Sequence, residues 1–236
     1  MSELGAQSGA RAYSALASEY YDAARHPTCA AFREASAQLL EKMLLDVARA
    51  NDAVEVGAGD SLLAAVLTER GLPIKGLLLT DDSPEMLEHS RLWHARGASL
   101  AVASADRLPV DDASVALVVA SLADPYDDAA FWGEVRRVLK PGGRALVTTP
   151  SWTWALRFRG TTGPHDHARF VLRTGDVLDV PSIVRRIEDE QLLIGNCGLT
   201  TLDCRSVDRS RLATSAPKLD VLGPTDPVVT GYLVKG

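Results

Sequence analysis

The sequence predicts an α/β fold, a doubly wound and mostly parallel sheet of about seven strands with N-terminal capping helices, and three observations predict it. From Ala53 onward, short apolar runs alternate with helix-period segments, the arrangement of parallel strands joined by helical crossovers. The run Val54-Glu55-Val56-Gly57-Ala58-Gly59-Asp60-Ser61 carries a strand into a glycine-containing turn that opens a helix. At 236 residues, with 46% hydrophobic and 24% charged side chains, the chain has the composition of an ordinary globular protein and can bury a substantial core as one structural domain.

Taken in order, Tyr13 to Ala24 reads as a short helix that His26-Pro27 ends, because the residue before proline disfavours helical geometry. Between Thr28 and Asn51, Phe32, Leu39, Leu40, Met43, Leu44 and Val47 recur at intervals of three and four, the period of an amphipathic helix. These helices, residues 1–52, would cap a domain filling 53–236. Five strands are expected near 53–56, 76–80, 99–103, 115–121 and 144–149, with helices near 62–70, 84–96 and 127–139. Lys140-Pro141-Gly142-Gly143 should end the last of these in a turn and a left-handed cap. Residues 151–180, rich in Gly, Thr, Arg and His, read as a long substrate loop, since loops of that length usually carry function. A helix at about 182–196 and strands at 199–207 and 228–234 complete the chain, which holds no internal repeat.

Several function classes are disfavoured. A formal charge of -6 argues against broad adhesion to phosphate backbones, so no nucleic-acid partner is expected. Met1 to Ala12 is polar and small, unlike a secretory signal, and no stretch is long and apolar enough to span a bilayer, so no membrane partner is expected. Cys29, Cys197 and Cys204 are odd in number and lack CxxC spacing, which suggests neither a disulfide framework nor a zinc site and fits a reducing cytoplasm. No metal is expected.

The glycine turn narrows the ligand. Gly57 and Gly59 lack a Cβ, which permits positive φ and close approach of backbone to ligand. After the next apolar strand, Thr80-Asp81 places a carboxylate roughly 20 residues downstream, where this fold bonds ribose hydroxyls. Asp82 or Ser83 can cap the helix that begins at Pro84. A dinucleotide fingerprint would need a third glycine where Leu62 stands, which disfavours NAD, and no Gly-Lys-Ser or Gly-Lys-Thr of a phosphate-binding loop follows the turn.

Four motifs then stand in register: Glu55-x-Gly57-x-Gly59, Asp81-x-Ser83-Pro84-Glu85-Met86-Leu87, Leu108-Pro109-x-Asp111 and Val138-Leu139-Lys140-Pro141-Gly142-Gly143. In order and spacing they resemble the Rossmann-like class I methyltransferases that use S-adenosylmethionine, over about residues 50–150. The resemblance implies that Gly57 and Gly59, with Ala58 between them, pass beneath the methionine portion of the cofactor. It implies Asp81, with Asp82 beside it, at the ribose, Met86 against adenine, and Glu55 holding the loop or the amino group. Ala105-Asp106 would lie at the adenine edge and Ser121 beside the reactive methyl. Ser61 stands where a third glycine is common, Ser104 where an adenine-binding Asp is usual, and Asp82 where an apolar residue often packs.

The expected activity is methylation of a small-molecule acceptor on oxygen or nitrogen, the alternative being a cofactor-binding but silent homologue. Candidate bases are His165 and His167, which flank Asp166 in the long loop. Arg157 and Arg159, with Arg169 and Arg173, make a local positive cluster that suits an anionic acceptor. Tyr20, Tyr21 and His26 of the cap, with Tyr13, are further acceptor contacts. Asp124-Pro125-Tyr126 reads as a turn before the helix near Asp127.

Overall fold

A computed structural model describes residues 3–44, 52–160 and 166–236. The elements in chain order are α1 (Glu3–Leu16), α2 (Pro27–Met43), β1 (Ala53–Val56), α3 (Leu62–Glu69), β2 (Leu77–Asp81), α4 (Pro84–Leu87), α5 (Arg91–Ala95), β3 (Ser99–Val102) and β4 (Val115–Ala120). They continue with α6 (Ala129–Val138), β5 (Leu139–Pro150), α7 (Trp152–Arg159), β6 (His167–Val171), β7 (Val177–Pro181), α8 (Ile187–Asn196), β8 (Thr200–Asp208) and β9 (Pro227–Lys235).

Seven strands form one sheet in the order β3-β2-β1-β4-β5-β9-β8, and the expected doubly wound, mostly parallel architecture is what the chain adopts. Strands β1 to β5 run parallel, while β9 is antiparallel to both β5 and β8. The strand order reverses between β1 and β4, which opens a crevice at their carboxyl ends. Helices cover both faces, so the central strands read as continuous apolar runs whose alternate residues face opposite layers. Val54, Val56, Val118 and Ala120 join Phe131, Trp132 and Val135 of α6 in one layer. Ala53, Leu77, Leu79, Leu117 and Val119 join Leu39 and Leu40 of α2 and Leu63 of α3 in the other. Gly231 lets α2 lie close on β9, since a Cβ there would stand 3.2 Å from Met43 Sδ and 3.3 Å from Leu39 Cδ1.

Several elements differ from the expectation. The first helix ends at Leu16, and Ala17 to Arg25 form successive turns in place of the helix expected to Ala24. The second ends at Met43, and the remainder expected to Asn51 lies outside the described residues. The helix expected over 84–96 breaks into α4, a 3₁₀ turn at Glu88–Ser90 and α5, where Ser90 Oγ leaves the helix pattern to donate to Gly59 O at 2.5 Å. Lys140 to Gly143 is not a helix cap: α6 stops with Leu139 already extended, and the four residues form a bulged excursion of β5, between the pairs Val115–Leu139 and Leu117–Arg144, with Gly142 at φ +77°. Residues 151–180 are likewise not an irregular loop. They fold into α7, capped by Ser151 Oγ on Trp154 N, and the β6–β7 hairpin, and residues 161–165 lie outside the described set. Among the described residues no helix is long and apolar enough to cross a membrane, and no cluster of three metal-ligating side chains occurs.

Candidate active site

The glycine turn is built from the strand up. Glu55 of β1 is buried, and its carboxylate accepts Ser61 Oγ and the Leu63 amide (3.2 Å), tying the strand end to the start of α3. Burial pushes its pKa up to about 7. Ser61 also caps α3, accepting the Ala64 amide at 2.9 Å. A serine therefore does work that a third glycine could not. Gly57 and Gly59 take φ of +63° and +46°, left-handed values that glycine adopts without a Cβ penalty. The Ala58 amide donates to Thr80 O at 2.8 Å, so Ala58 braces the turn from behind.

Asp81 ends β2 and is 7% exposed, with one carboxylate oxygen on Gly59 N (3.0 Å) and the other on Ser83 N (3.0 Å). Burial outweighs these bonds and pushes its pKa up to about 7. Asp82 is also raised, by burial first. Ser83 is the cap of α4, accepting the Met86 amide at 3.1 Å.

Several of these groups border one open cavity at the reversal of strand order. Gly57, Asp81, Asp82, Met86, Ser104, Ala105, Asp106 and Ser121 line it, so most of the residues the resemblance pointed to come together. Glu55, Ala58 and Gly59 support the turn rather than line the space. Ser104 Oγ donates to Asp106 Oδ1 at 2.6 Å, which orders the rim. Tyr20 and Tyr21 line the cavity, with Tyr13, Leu122, Pro125, Tyr126 and Pro181.

The other expected residues that are described do not line it. His165 lies outside the described residues, and His167 sits on β6 with Nδ1 3.0 Å from Asp166 Oδ1, not among the residues that line this cavity. Arg157 pairs with Asp226, and Arg159 donates to the carbonyl (3.0 Å) and Oγ (2.6 Å) of Ser182. Arg169 pairs with Asp179 and Arg173 with Asp22, so the positive cluster read from the sequence is dispersed among carboxylates and neighbouring segments. His26 is buried away from the cavity, edge-on to Phe170 with ring centroids 5.4 Å apart and 3.6 Å from Glu19.

Two contributors were not singled out in the sequence. Arg33 of α2 lines the cavity, donates to Asp60 O at 2.8 Å and lies 4.6 Å from the centroid of the Tyr21 ring. No motif marks it; only its place on a helix read as part of the cap could have raised it. Tyr126 was visible as part of Asp124-Pro125-Tyr126, but the turn reading hid that its hydroxyl donates to Val56 O at 2.8 Å. Asp124 itself is buried and accepts from Ser182 Oγ, with burial pushing its pKa up to about 6.

The β6–β7 hairpin closes over the cap. Glu19, 5% exposed, accepts the Arg173 amide with both oxygens (3.1 and 3.0 Å) and pairs with Arg25 at 3.3 Å, while Phe170 packs 6.3 Å from Tyr20. The cavity is walled by the N-terminal residues Tyr13, Tyr20, Tyr21 and Arg33 and, at the end of β7, by Pro181.

Comparison with known proteins places this geometry. Residues 54–147 match the methyltransferase domain family. The chain is 37% identical over 101 residues to a malonyl-[acyl-carrier protein] O-methyltransferase of Hahella chejuensis, covering 42% of this chain and 36% of that protein. It is 39% identical over 98 residues to an uncharacterized methyltransferase of Mycobacterium bovis, covering 41% and 39%. The chain thus spans well under half the length of these relatives. Among solved structures it resembles a DhpI–SAM–HEP complex, with a TM-score of 0.69 at 20% identity and full coverage of both chains. It also resembles a Burkholderia thailandensis 1,6-didemethyltoxoflavin-N1-methyltransferase, with a TM-score of 0.58 at 14% identity over 98% of this chain and 89% of that one.

Proposed function

From the class I, S-adenosylmethionine-dependent methyltransferase domain that residues 54–147 carry, we propose that this chain transfers a methyl group from that cofactor to the oxygen or nitrogen of a small-molecule acceptor. The observation that carries the reading is the single cavity that joins the Gly57 turn, Asp81 and the Ser104–Asp106 rim to a chamber walled by Tyr13, Tyr20, Leu122, Pro125 and Pro181.

The residues present fit the cofactor. The turn has no Cβ to obstruct a ligand at Gly57, Asp81 retains lone pairs for ribose hydroxyls, and the space continues past Met86 to the rim formed by Ala105 and Asp106. Arg33, beside the turn, suits the carboxylate of the methionine portion. The cofactor supplies an electrophilic methyl on a sulfonium, so no metal and no covalent enzyme intermediate is required. The protein's share is alignment. Holding an acceptor in line can lower the barrier by about 7 to 11 kcal/mol.

The acceptor chamber is aromatic and apolar. Burial pushes the pKa values of Tyr13, Tyr20 and Tyr126 well above 10, so these hydroxyls stay neutral, and Tyr126 donates its proton to the Val56 carbonyl. With Arg157 and Arg159 engaged elsewhere, an anionic acceptor loses the support those arginines had offered. The walls Tyr13, Tyr20 and Pro181 lie outside the matched segment 54–147, so acceptor choice rests in part on residues beyond that segment.

Titration of the purified full chain with S-adenosylhomocysteine and NAD tests the cofactor part: micromolar binding of the first and none of the second is expected. Incubation with methyl-labelled S-adenosylmethionine and a panel of small phenols, amines and acids tests transfer. Binding without transfer to any acceptor would mean a silent homologue, and no binding at all would overturn the reading.

A further inference from the structure

Two tyrosines pack on the glycine turn, Tyr126 against Gly57 and Tyr21 against Gly59. Tyr126, in the turn after β4, donates its hydroxyl to Val56 O at 2.8 Å, and its ring lies so near Gly57 that a Cβ there would run into it. Tyr21, from the cap, accepts the Asp60 amide at 2.7 Å, and a Cβ on Gly59 would run into its hydroxyl. Protein side chains thus take the close approach that the glycines permit.

The strand next to the turn shows the same incompleteness. Val56 stands opposite Ala120 in the β1–β4 register, so Ser121 follows alongside Gly57. Ser121 lines the cavity, yet its Oγ is buried with no hydrogen-bond partner. A buried hydroxyl left unpaired is unfavourable and uncommon in a folded chain. Leu122 follows at φ +59°, a left-handed value uncommon outside glycine. Unpaired and left-handed residues of this kind persist where a site is held ready for something else.

Resting on the cofactor reading above, we infer that Tyr126 is a shutter on the cradle: it holds the Val56 carbonyl and the space over Gly57 in the free protein, and the incoming cofactor displaces it. The displaced state gives the Val56 carbonyl to the ligand and opens Ser121 Oγ to a partner. The ring's edge-on contact with Phe131, 5.3 Å between centroids, means the shutter moves against a packed wall rather than into free solvent.

Two measurements decide it, both on the full chain. The first is calorimetric titration with S-adenosylhomocysteine of wild type and Tyr126→Phe, which keeps the ring and removes the hydrogen bond. The variant should bind about three- to tenfold tighter, because one neutral bond no longer has to be broken on binding; equal or weaker binding overturns the shutter. The second needs no ligand and is a double-mutant cycle of Gly57→Ala and Tyr126→Ala followed by urea unfolding. Backbone strain from alanine at positive φ is common to both backgrounds and cancels. Gly57→Ala should lower the unfolding midpoint more in wild type than beside Tyr126→Ala, whereas additive effects would show that Tyr126 does not close the turn. If wild type binds no S-adenosylhomocysteine, the cofactor reading fails and the shutter loses its ligand, while coupling in the cycle would still establish the closed contact.

Discussion

Replacing Asp81 by asparagine should flatten the pH dependence of stability and make the protein a poorer binder of its cofactor. Burial raises the Asp81 pKa from the ordinary 3.8 to about 7, so the folded state prefers the neutral acid although two backbone amides favour the ionised form. For a carboxyl group with a raised pKa, the folded state binds more protons than the unfolded state between the two values. Its contribution to stability is therefore greatest below about 4, falls as pH rises toward 7 and is level above. The displacement corresponds to at most about 4 kcal/mol at pH 8, an order-of-magnitude bound. Asparagine is neutral at every pH but turns one of the two acceptors into an NH2 donor facing a buried backbone N–H, so the variant should lie about 1 to 3 kcal/mol below wild type near pH 4.5 and recover relative to it by up to about 4 kcal/mol as pH rises to 8. Ribose recognition should suffer: losing charge-assisted acceptance lowers S-adenosylhomocysteine affinity about ten- to hundredfold. Urea unfolding at pH 4.5, 6 and 8 with parallel calorimetric titration reads both. A stability difference from wild type that stays constant between pH 4.5 and 8, or an unchanged affinity, would refute the argument that a buried ligand-facing carboxylate sits at this strand end.

Three further outcomes are expected. Arg185 lies 3.1 Å from Asp127 and 3.3 Å from Glu190, two buried carboxylates that share the Trp132 indole N–H, so Arg185→Met should destabilise the fold by about 2 to 4 kcal/mol at pH 8. Because burial and the neighbouring carboxylate hold the Asp127 pKa well above 3.8, that loss should shrink as pH falls, and urea midpoints across pH will show whether it does. Ser61→Ala removes both the α3 cap and the hydroxyl partner of Glu55, and should lower stability by about 1 to 2 kcal/mol in thermal or urea unfolding; a neutral effect would deny that Ser61 replaces the third glycine by capping. His167→Ala should leave S-adenosylhomocysteine affinity within twofold of wild type, since the ring pairs with Asp166 outside the cavity, and a large loss measured by titration would return His167 to the site.

Much of the cofactor half was legible because each of its signals is local. The Gly57 turn, the carboxylate at Asp81 and the Pro84 helix start are short-range consequences of backbone geometry and capping, and the sheet places them side by side. The acceptor half was read poorly for the opposite reason. His167, Arg157 and Arg159 were grouped by closeness in sequence, but the β6–β7 pairing turns His167 outward and Asp226 and Ser182 claim the two guanidinium groups. Arg33 and Tyr126 went unassigned because nothing within a few residues of either reveals a bond to Asp60 or Val56.

By itself, the sequence determined the α/β class, the order of the sheet's parallel strands along the chain and the position of the glycine turn, because hydrophobic period and glycine placement act over a few residues. Tertiary structure alone decided that the described part of 151–180 becomes a helix and a hairpin, that Glu19 receives the Arg173 amide across 154 positions, and that Tyr21 and Tyr126 each bond the backbone of the turn. Those contacts depend on which distant segments the packed sheet brings together, and a burial pattern written every second or fourth residue carries no record of the partner.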